Sequence, residues 1–361
     1  MELSEIKIIE NKNLKKKPEG LKTGDLGFGM LFTDYLFTIR YDPDKGGWHN
    51  PQIEPFADIP THPAAVVFHY AQTIFEGQKA YLRDDGKISM FRPQMNIARF
   101  NRSAERLCMP TLDEKFLLEA FKMQIALEKE WVPSAPDCSL YIRPTMIGTS
   151  GRLGVQPATS YLFFNVLSPV GAYFKSGLKP VRIMISRHYV RAVRGGMGDA
   201  KTGGNYATSL LAGSIGKKRD CAQVLWLDAI HNKYVEEMGG MNAFFVIDDV
   251  LTTAPLTGTI LPGVTRDSII QIAKDKGWRV KERLFSIDEV IEGIKKGRVK
   301  EAFASGTAAV VTPVKELYDE DGTIYHISDE TGYYSRELYK TLTDIQYGRV
   351  EDKYGWNVMV T

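Results

Sequence analysis

The stretch EMGGMNAFFVIDDVLTTAPLTGTILPGVTR, residues 237–266, is the most informative part of the chain. It begins with a carboxylate, Glu237, in a strand-like run, so Glu236 and Glu237 are expected on opposite faces, with one of the two in solvent. It ends in the turn 261–265, whose backbone N–H groups can hold a phosphate. The stretch therefore predicts a site for a small molecule that carries a phosphate at one end and a cationic group at the other.

A lysine lies upstream, in the glycine-rich segment GDAKTGGNY, residues 198–206. Lys201 can form a Schiff base with an aldehyde, which would hold the same small molecule covalently. The segment also allows a second interpretation, because residues 195–202 have the spacing of a nucleotide-binding P-loop, with Ala200 in place of the second glycine. A P-loop needs a strand directly before it and a helix that opens at the lysine. Here the helix is expected to begin only near Thr208, so nucleotide binding stays open as the weaker alternative.

The length of 361 residues predicts two domains, since a single hydrophobic core rarely grows so large. A segment that contains several glycines and prolines separates them, so we expect a small N-terminal domain at 1–170, a linker at 171–181 and a larger domain at 182–361. Strand and helix patterns occur in both halves, which predicts a mixed α/β (α+β) fold class. Among the expected elements are a strand at 36–41, a hairpin from 78–82 and 87–91, and a helix that opens at Pro93.

The charge balance and the scattered cysteines and histidines exclude several classes of partner. There are 46 basic and 44 acidic residues, and the net charge of +2 gives no reason to expect nucleic acid or a membrane as a partner. The basic cluster 12–17 is expected to be a solvated tail. The three cysteines and six histidines show no metal-ligand spacing, so we expect no metal and reduced cysteines in the core. No apolar run suggests a signal peptide or a membrane helix, and we expect a cytoplasmic protein.

Within the stretch 237–266, eight residues stand at the spacing of a known signature: Glu237, Gly239, Asn242, Leu251, Thr253, Leu261, Gly263 and Arg266. This pattern resembles the signature of the fold-type IV enzymes that use pyridoxal 5′-phosphate. The resemblance implies that Glu237 is the inward glutamate and pairs with the pyridine nitrogen, so Glu236 is expected in solvent. It also implies that Lys201 forms the internal aldimine.

Four further motifs extend the resemblance to the branched-chain amino acid aminotransferases: FEGQKA at 75–80, YIRP at 141–144, PVGAYF at 169–174 and QVLWL at 223–227. The similarity covers nearly the whole chain. It implies a homodimer with a small α+β N-terminal domain and a larger mixed α/β domain that binds the cofactor. It also implies transfer of the amino group of L-leucine, L-isoleucine or L-valine to 2-oxoglutarate, in a ping-pong mechanism.

The resemblance also implies the residues of the site. Lys201 would be the catalytic residue, and the cofactor would be bound by Arg99, Lys201, Tyr206, Glu237, Val264, Thr265 and Thr307. The substrate would be bound by Phe28, Tyr70, Phe75, Tyr141, Arg143, Tyr173, Gly240 and Ala308. Aromatic walls suit aliphatic side chains, while tyrosine and arginine can admit the second carboxylate of glutamate. Leu153 and Val155 either reach the pocket of a second subunit or pack locally.

Two departures from the animal enzymes of this family are visible in the sequence. Gly240 stands where they carry a threonine near the substrate carboxylate, so backbone N–H groups would have to replace that contact. Ala309 and Thr312 stand in place of their paired redox cysteines, so we expect no thiol switch.

Three alternatives to this assignment remain open. A D-amino acid aminotransferase or an aminodeoxychorismate-lyase type enzyme would share Lys201 and Glu237, but it would lack the motifs at 141–144 and 171–174. A nucleotide-binding module would use the segment 195–202 and carry no cofactor. A catalytically inactive homologue is the third, although no residue of the motif set is missing.

Overall fold

The computed structural model describes residues 1–171 and 178–360, and these divide into two compact units. Unit 1 comprises Met1–Tyr173, Ala200–Gly203 and Asp344–Thr361, and unit 2 comprises Phe174–Asp199 and Gly204–Thr343. The short insertion Ala200–Gly203 places Lys201 in unit 1. The domain bounds expected from the sequence stay a prediction, and most of the expected linker lies outside the described residues.

Unit 1 is a mixed β-sheet that is covered by helices. Its strands pair in the order β1-β3-β2-β8-β7-β5-β6-β18, with β4 also paired to β7, and only β1 and β3 run parallel among the described strands. The strands are β1 Lys7–Ile8, β2 Tyr35–Asp42, β3 Gly47–Pro55, β4 Thr73–Phe75, β5 Gln78–Leu82, β6 Ile88–Phe91, β7 Ser139–Gly148, β8 Tyr161–Val170 and β18 Asn357–Met359. The helices are α1 Gly20–Thr23, α2 Val66–Tyr70, α3 Pro93–Arg106 and α4 Glu114–Leu127.

The core of unit 1 is built around Phe163. Its ring lies 5.5 Å from Phe100 of α3, 6.3 Å from Phe121 of α4 and 6.0 Å from Phe37 of β2, measured between centroids. All four rings are fully buried, so α3 and α4 are held on the sheet by apolar burial. Helix α3 opens at Pro93 as predicted, because proline is suited to the first turn. The predicted strand 36–41 and the hairpin of β5 and β6 are confirmed as well.

The basic cluster 12–17 is largely exposed, as predicted, with residues 12–16 in solvent, but it is not a free tail. The backbone N–H of Lys15 donates to Asp34 at 2.8 Å, and the Lys17 ammonium bonds the same carboxylate at 2.6 Å. The Trp131 indole N–H donates to Asp34 at 2.8 Å, and Lys17 lies over the indole ring. A buried acceptor with several donors therefore ties the segment to the sheet, which the spacing of the charges alone does not reveal.

Unit 2 contains a closed ring of strands. The order is β11-β10-β9-β16-β15-β12-β13-β14, with β17 on β16, and β11 also pairs with β12, so six strands from β11 to β12 close on themselves. The strands are β9 Val181–Ile185, β10 Gln223–Leu227, β11 Val235–Met238, β12 Met241–Ile247, β13 Val250–Thr253, β14 Arg279–Glu282, β15 Val299–Gly306, β16 Val310–Tyr318 and β17 Ile324–His326. The helices are α5 Gly203–Ala207, α6 Leu210–Lys217, α7 Val264–Asp275, α8 Ile287–Lys295 and α9 Tyr333–Gln346, the first and last of which cross the boundary between the units.

Strand and helix content in both units confirms the predicted mixed α/β class. One cysteine prediction is wrong, because Cys108 is exposed, whereas Cys138 and Cys221 are buried. Cys108 follows the end of α3 with φ 54°, in a turn that leaves the core.

Candidate active site

Lys201 is held in unit 1 by its backbone. Its N–H donates to the Ser103 hydroxyl at 2.9 Å, and its carbonyl accepts from the Phe75 N–H at 3.0 Å. The next residue, Thr202, forms an antiparallel bridge with Ile74 of β4. The Lys201 ammonium nitrogen lies 4.9 Å from the centroid of the Phe75 ring. A short segment thus joins the edge of β4 like an added strand, and it fixes where the lysine side chain begins.

A buried ion pair lies beside this lysine. Glu76 is 1% exposed and accepts from Arg99 Nε at 2.7 Å and from Arg99 Nη2 at 2.9 Å. Asn96 donates to the same carboxylate at 2.9 Å. Burial raises the pKa of Glu76, but the charge and hydrogen bonds of Arg99, with a contribution from Lys201, outweigh it and lower the pKa below its ordinary value. Arg99, predicted to bind phosphate, is therefore oriented by Glu76, and its role toward a phosphate stays a prediction.

Arg143 and three other predicted substrate residues form one cluster. The Arg143 guanidinium carbon lies 4.8 Å from the Phe75 ring centroid and 5.1 Å from that of Tyr141, and Nη2 donates to the Tyr141 hydroxyl at 3.1 Å. Phe28 meets Tyr141 edge to face at 5.1 Å. Gly77 is required here, because an added Cβ would stand 2.0 Å from the Tyr141 hydroxyl. Arg143 Nε is buried, and no group among the described residues accepts its hydrogen bond, which suits an anionic ligand.

The remaining predicted substrate residues of the first half are less enclosed. Tyr70, at the end of α2, is 38% exposed and its hydroxyl donates to the Leu153 carbonyl. The Leu153 side chain is 68% exposed and that of Val155 is 80% exposed, so local packing does not account for either. Tyr173 lies outside the described residues.

Glu237 is the centre of a cluster in unit 2. It is 2% exposed on β11, its Oε1 accepts from the Leu261 N–H at 2.8 Å, and its Oε2 lies 3.3 Å from Arg191 Nε. Glu236 is also buried, at 6% exposed, so the expectation that it faces solvent is wrong. The reason is that the loop after β13 covers that face of β11, and Thr259 from this loop donates to Glu236 at 2.5 Å.

The turn 261–265 opens helix α7, as the phosphate prediction requires. Asn242 on β12 donates to the Leu261 carbonyl at 3.0 Å. Gly263 packs so closely on Asn242 that an added Cβ would stand 2.1 Å from Oδ1. Val264 and Thr265, both buried, form the first turn of α7, where N–H groups lack intrahelical partners.

A second turn lies next to Asn242 in the sheet. Asn242 pairs in register with Ser305 of β15, and Thr307 and Ala308 follow in the turn between β15 and β16. The Ser305 hydroxyl is buried and has no hydrogen-bond partner among the described residues. Asn242 therefore contacts the turn 261–265 and lies beside the strand that leads into the turn of Thr307. The buried Ser305 hydroxyl is available to a ligand.

Tyr206 of α5 lies against Gly240, since an added Cβ at Gly240 would contact the tyrosine ring at 3.4 Å. Gly240 is exposed, while the neighbouring Gly239 adopts φ 59° and leaves no room for a side chain beside Gln223. The pair of glycines thus creates a close turn between β11 and β12 with the Tyr206 ring beside it.

The expectation that no helix begins before Thr208 is wrong, since α5 opens at Gly203, directly after Thr202. The other requirement of a P-loop is still not met, because the preceding strand, β9, ends at Ile185.

The structure also shows two residues that sequence reasoning missed, Arg191 beside Glu237 and Glu76 beside Arg99. Glu76 stood within the quoted motif at 75–80, whereas nothing local marks Arg191.

Among residues 1–171 and 178–360, no group of three or more histidine, cysteine or acidic side chains is arranged to hold a metal ion. In that same portion of the chain, no helix is both long and apolar enough to span a membrane.

The chain is similar to known proteins in sequence and in fold. Residues 73–317 match the family described as Amino-transferase class IV. Branched-chain-amino-acid transaminase 1 of Bacillus subtilis (strain 168) is 49% identical over 358 residues, which cover 98% of this chain and 99% of the relative. The crystal structure of the Escherichia coli branched-chain amino acid aminotransferase has a TM-score of 0.76 at 28% identity, and the match covers 91% of this chain and 99% of that one.

A second similar structure carries a cofactor adduct. The branched-chain amino acid aminotransferase of T.th., complexed with N-(5′-phosphopyridoxyl)-L-glutamate, has a TM-score of 0.75 at 28% identity, covering 93% of this chain and 99% of that one. These likenesses confirm the predicted fold-type IV class. The donor set fits pyridoxal 5′-phosphate, because it offers an amine, a buried carboxylate and a helix N-terminus with hydroxyl groups. The chain belongs to the branched-chain amino acid aminotransferases, in the class IV family of pyridoxal-phosphate enzymes, and it catalyses transamination of branched-chain amino acids.

Proposed function

We propose that the enzyme transfers the α-amino group of L-leucine, L-isoleucine or L-valine to 2-oxoglutarate in a ping-pong mechanism, with Lys201 as the residue that holds the cofactor covalently. The observation that carries this proposal is the position of Phe75. Its ring contacts both the Lys201 ammonium, at 4.9 Å, and the Arg143 guanidinium, at 4.8 Å. A base and an anion-binding group therefore share one aromatic wall.

When bound, pyridoxal 5′-phosphate withdraws electrons from the substrate Cα and so makes its proton acidic. Lys201, as a neutral amine, would accept that proton from Cα and deliver it to C4′ of the cofactor. Because two backbone hydrogen bonds fix the Lys201 main chain, the amine is delivered from a constant position.

Glu237 is proposed to bind the pyridine nitrogen. A carboxylate there keeps the nitrogen protonated, which strengthens electron withdrawal. The Leu261 N–H and Arg191 hold the two carboxylate oxygens and set the direction of the carboxylate. Tyr206 is proposed to donate its hydroxyl proton to the cofactor's phenolic oxygen.

The phosphate is proposed to bind at the N-terminus of α7 and at the turn after β15, with Val264, Thr265, Thr307 and Arg99 as its ligands. A dianion needs both directed donors and positive charge, which backbone N–H groups, hydroxyls and a guanidinium supply together. The close packing of Gly263 on Asn242 and the unpartnered Ser305 hydroxyl support this assignment.

The substrate carboxylates are proposed to bind Arg143, Tyr141 and backbone N–H groups at Gly240 and Ala308. The buried Nε of Arg143, which no described residue bonds, supports a carboxylate partner. Phe28, Phe75, Tyr70 and Tyr173 would form the apolar walls for leucine, isoleucine and valine. One pocket then takes a branched side chain and the second carboxylate of glutamate in turn, as the glutamate adduct of the similar T.th. enzyme suggests.

A cytoplasmic homodimer is proposed as the working form. The exposed apolar side chains of Met30, Phe68, Leu153 and Val155, all between 63% and 80% exposed, support a second subunit that covers them. Leu153 and Val155 would then reach the partner's pocket.

Initial-rate kinetics test the proposal. With L-leucine and 2-oxoglutarate both varied, double-reciprocal plots should give parallel lines, since the first product leaves before the second substrate binds. Intersecting lines would contradict the ping-pong order. Activity with D-alanine alone would keep the fold but change the substrate, and ATP binding without cofactor would favour the P-loop interpretation of residues 195–202.

A further inference from the structure

Unit 2 contains a cavity of about 170 Å³ on the face of β11 opposite to Glu237. Its wall includes Glu236, Thr259 and Arg194 as polar residues and Ile230, Ile260 and Leu284 as apolar ones. The volume lies below the roughly 300–1,000 Å³ of pockets for drug-sized molecules, so the cavity suits a molecule of amino-acid size. None of these residues has a role in the proposed transamination.

Glu236 is a buried carboxylate in this wall that a ligand could bind. It is 6% exposed, and its Oε1 accepts from the Thr259 hydroxyl at 2.5 Å. Its Oε2 is buried, and no donor among the described residues reaches it. Burial raises the pKa of Glu236, against the opposing effects of the Thr259 hydrogen bond and the Arg191 charge. A ligand that brings a cationic donor to Oε2 would offset the cost of keeping the carboxylate from water.

The other acidic side chain of the cavity, Asp228, already accepts hydrogen bonds at both of its carboxylate oxygens. Asp228 accepts N–H groups from Ile230, His231, Lys233 and Tyr234, at 2.7 to 3.2 Å. These bonds lower the pKa of Asp228, although burial opposes them. Of the two acidic side chains in the cavity wall, Glu236 is therefore the one with an oxygen that no described residue bonds.

A second charge of opposite sign is also present. Arg194 lines the cavity and is exposed to solvent, so its guanidinium can receive an anion without a buried partner. An ammonium at Glu236, a carboxylate at Arg194 and an aliphatic group between the isoleucines describe an α-amino acid in its zwitterionic form.

We propose that this cavity binds a small aliphatic α-amino acid, separately from the transamination site, with its ammonium on Glu236 and its carboxylate on Arg194. The cavity connects to the candidate cofactor ligands through Thr259, whose carbonyl accepts from Arg191, the neighbour of Glu237. An occupant would thus contact the loop that orients Glu237. Binding at this cavity does not depend on the proposed reaction.

Calorimetry on the holoenzyme in its pyridoxamine-phosphate form tests this inference, because amines cannot react with that form. The probes are L-valine, isobutylamine, which lacks the carboxylate, and isovalerate, which lacks the ammonium. Glu236→Gln should weaken the binding of L-valine and isobutylamine by about tenfold or more, the usual effect of losing a charged hydrogen bond. Arg194→Gln should weaken L-valine and isovalerate but leave isobutylamine unchanged.

The matched control is Glu330→Gln, the same chemical change at an exposed position of unit 2, which should leave all three affinities unchanged. If Glu236→Gln does not fold, as judged by thermal unfolding, the exposed Arg194→Gln still decides. Equal affinity for L-valine in the wild type and in either folded variant would overturn the inference. Failure of the proposed function would instead show as missing turnover, which this binding experiment does not use.

Discussion

Replacing Gly263 by alanine tests how the packing at the start of α7 supports the site. An added Cβ would stand 2.1 Å from Asn242 Oδ1, whereas carbon and oxygen normally approach to about 3.3 Å. Asn242 or the turn must therefore move by roughly 1 Å. Either movement breaks the bond of Asn242 Nδ2 to the Leu261 carbonyl, now 3.0 Å long, and displaces the Leu261 N–H that holds Glu237.

The magnitudes follow from that geometry. Loss of one buried hydrogen bond with an unsatisfied partner costs about 1–3 kcal/mol in the free energy of unfolding. A displacement of about 1 Å in groups that position a cofactor lowers kcat/KM by about 100-fold. Denaturant unfolding and initial rates with L-leucine and 2-oxoglutarate measure the two effects.

Gly213→Ala is the matched control for this change. Gly213 lies in α6, and an added Cβ there meets nothing within 4 Å. In a helix interior the same substitution should stabilise the protein by up to about 1 kcal/mol and leave kcat/KM unchanged. If Gly263→Ala keeps kcat/KM within about twofold of the wild type and unfolds at the same denaturant concentration, the reasoning on this turn is refuted.

Three further predictions concern single groups. Glu237→Gln should remove most of the activity while the protein still binds the cofactor, because an amide does not keep the pyridine nitrogen protonated; wild-type kcat from the purified variant would contradict this. Burial raises the pKa of Glu128 to about 7 from the ordinary 4.5, so the folded protein holds a proton that the unfolded chain releases, and stability falls as pH rises between these values. Glu128→Gln cannot ionise and should gain up to about 3 kcal/mol relative to the wild type across that window, seen in denaturant unfolding at both ends; a constant difference would count against it. Because Ala309 and Thr312 carry no thiol that could oxidise, activity should be insensitive to mild peroxide at these positions, and a loss that dithiothreitol restores would show otherwise.

Local patterns in the sequence predicted much of the fold because the forces that form those elements are local. Helix α3 is marked by Pro93 in its first turn, and the hairpin of β5 and β6 is marked by the polar turn DDG at 84–86 between its two strands. The solvent exposure expected for Glu236 was wrong because alternation along β11 says nothing of a loop that returns from beyond β13. Likewise, the charges of 12–17 did not predict the contact with Asp34, because its hydrogen-bond donors come from distant parts of the chain.

The residues of the candidate site divide in the same way, into those that local sequence patterns mark and those that only the tertiary fold brings together. Lys201, Glu237 and the turn 261–265 stand in motifs whose spacing marks them. Arg191 reaches Glu237 through the tertiary fold alone, so no spacing in the sequence reveals it. The Glu76–Arg99 pair joins a strand end to a helix, and only the folded unit shows that a carboxylate orients the guanidinium.

One absorbance experiment tests whether Lys201 holds the cofactor and carries out the proton transfer. Purified wild type should show a violet-region band that L-leucine shifts to shorter wavelength and 2-oxoglutarate restores. Lys201→Ala should lack both the band and its response, while Lys115→Ala, at an exposed position of the same unit, should behave as wild type. A Lys201→Ala protein that keeps the band and its full response to L-leucine would contradict the assignment.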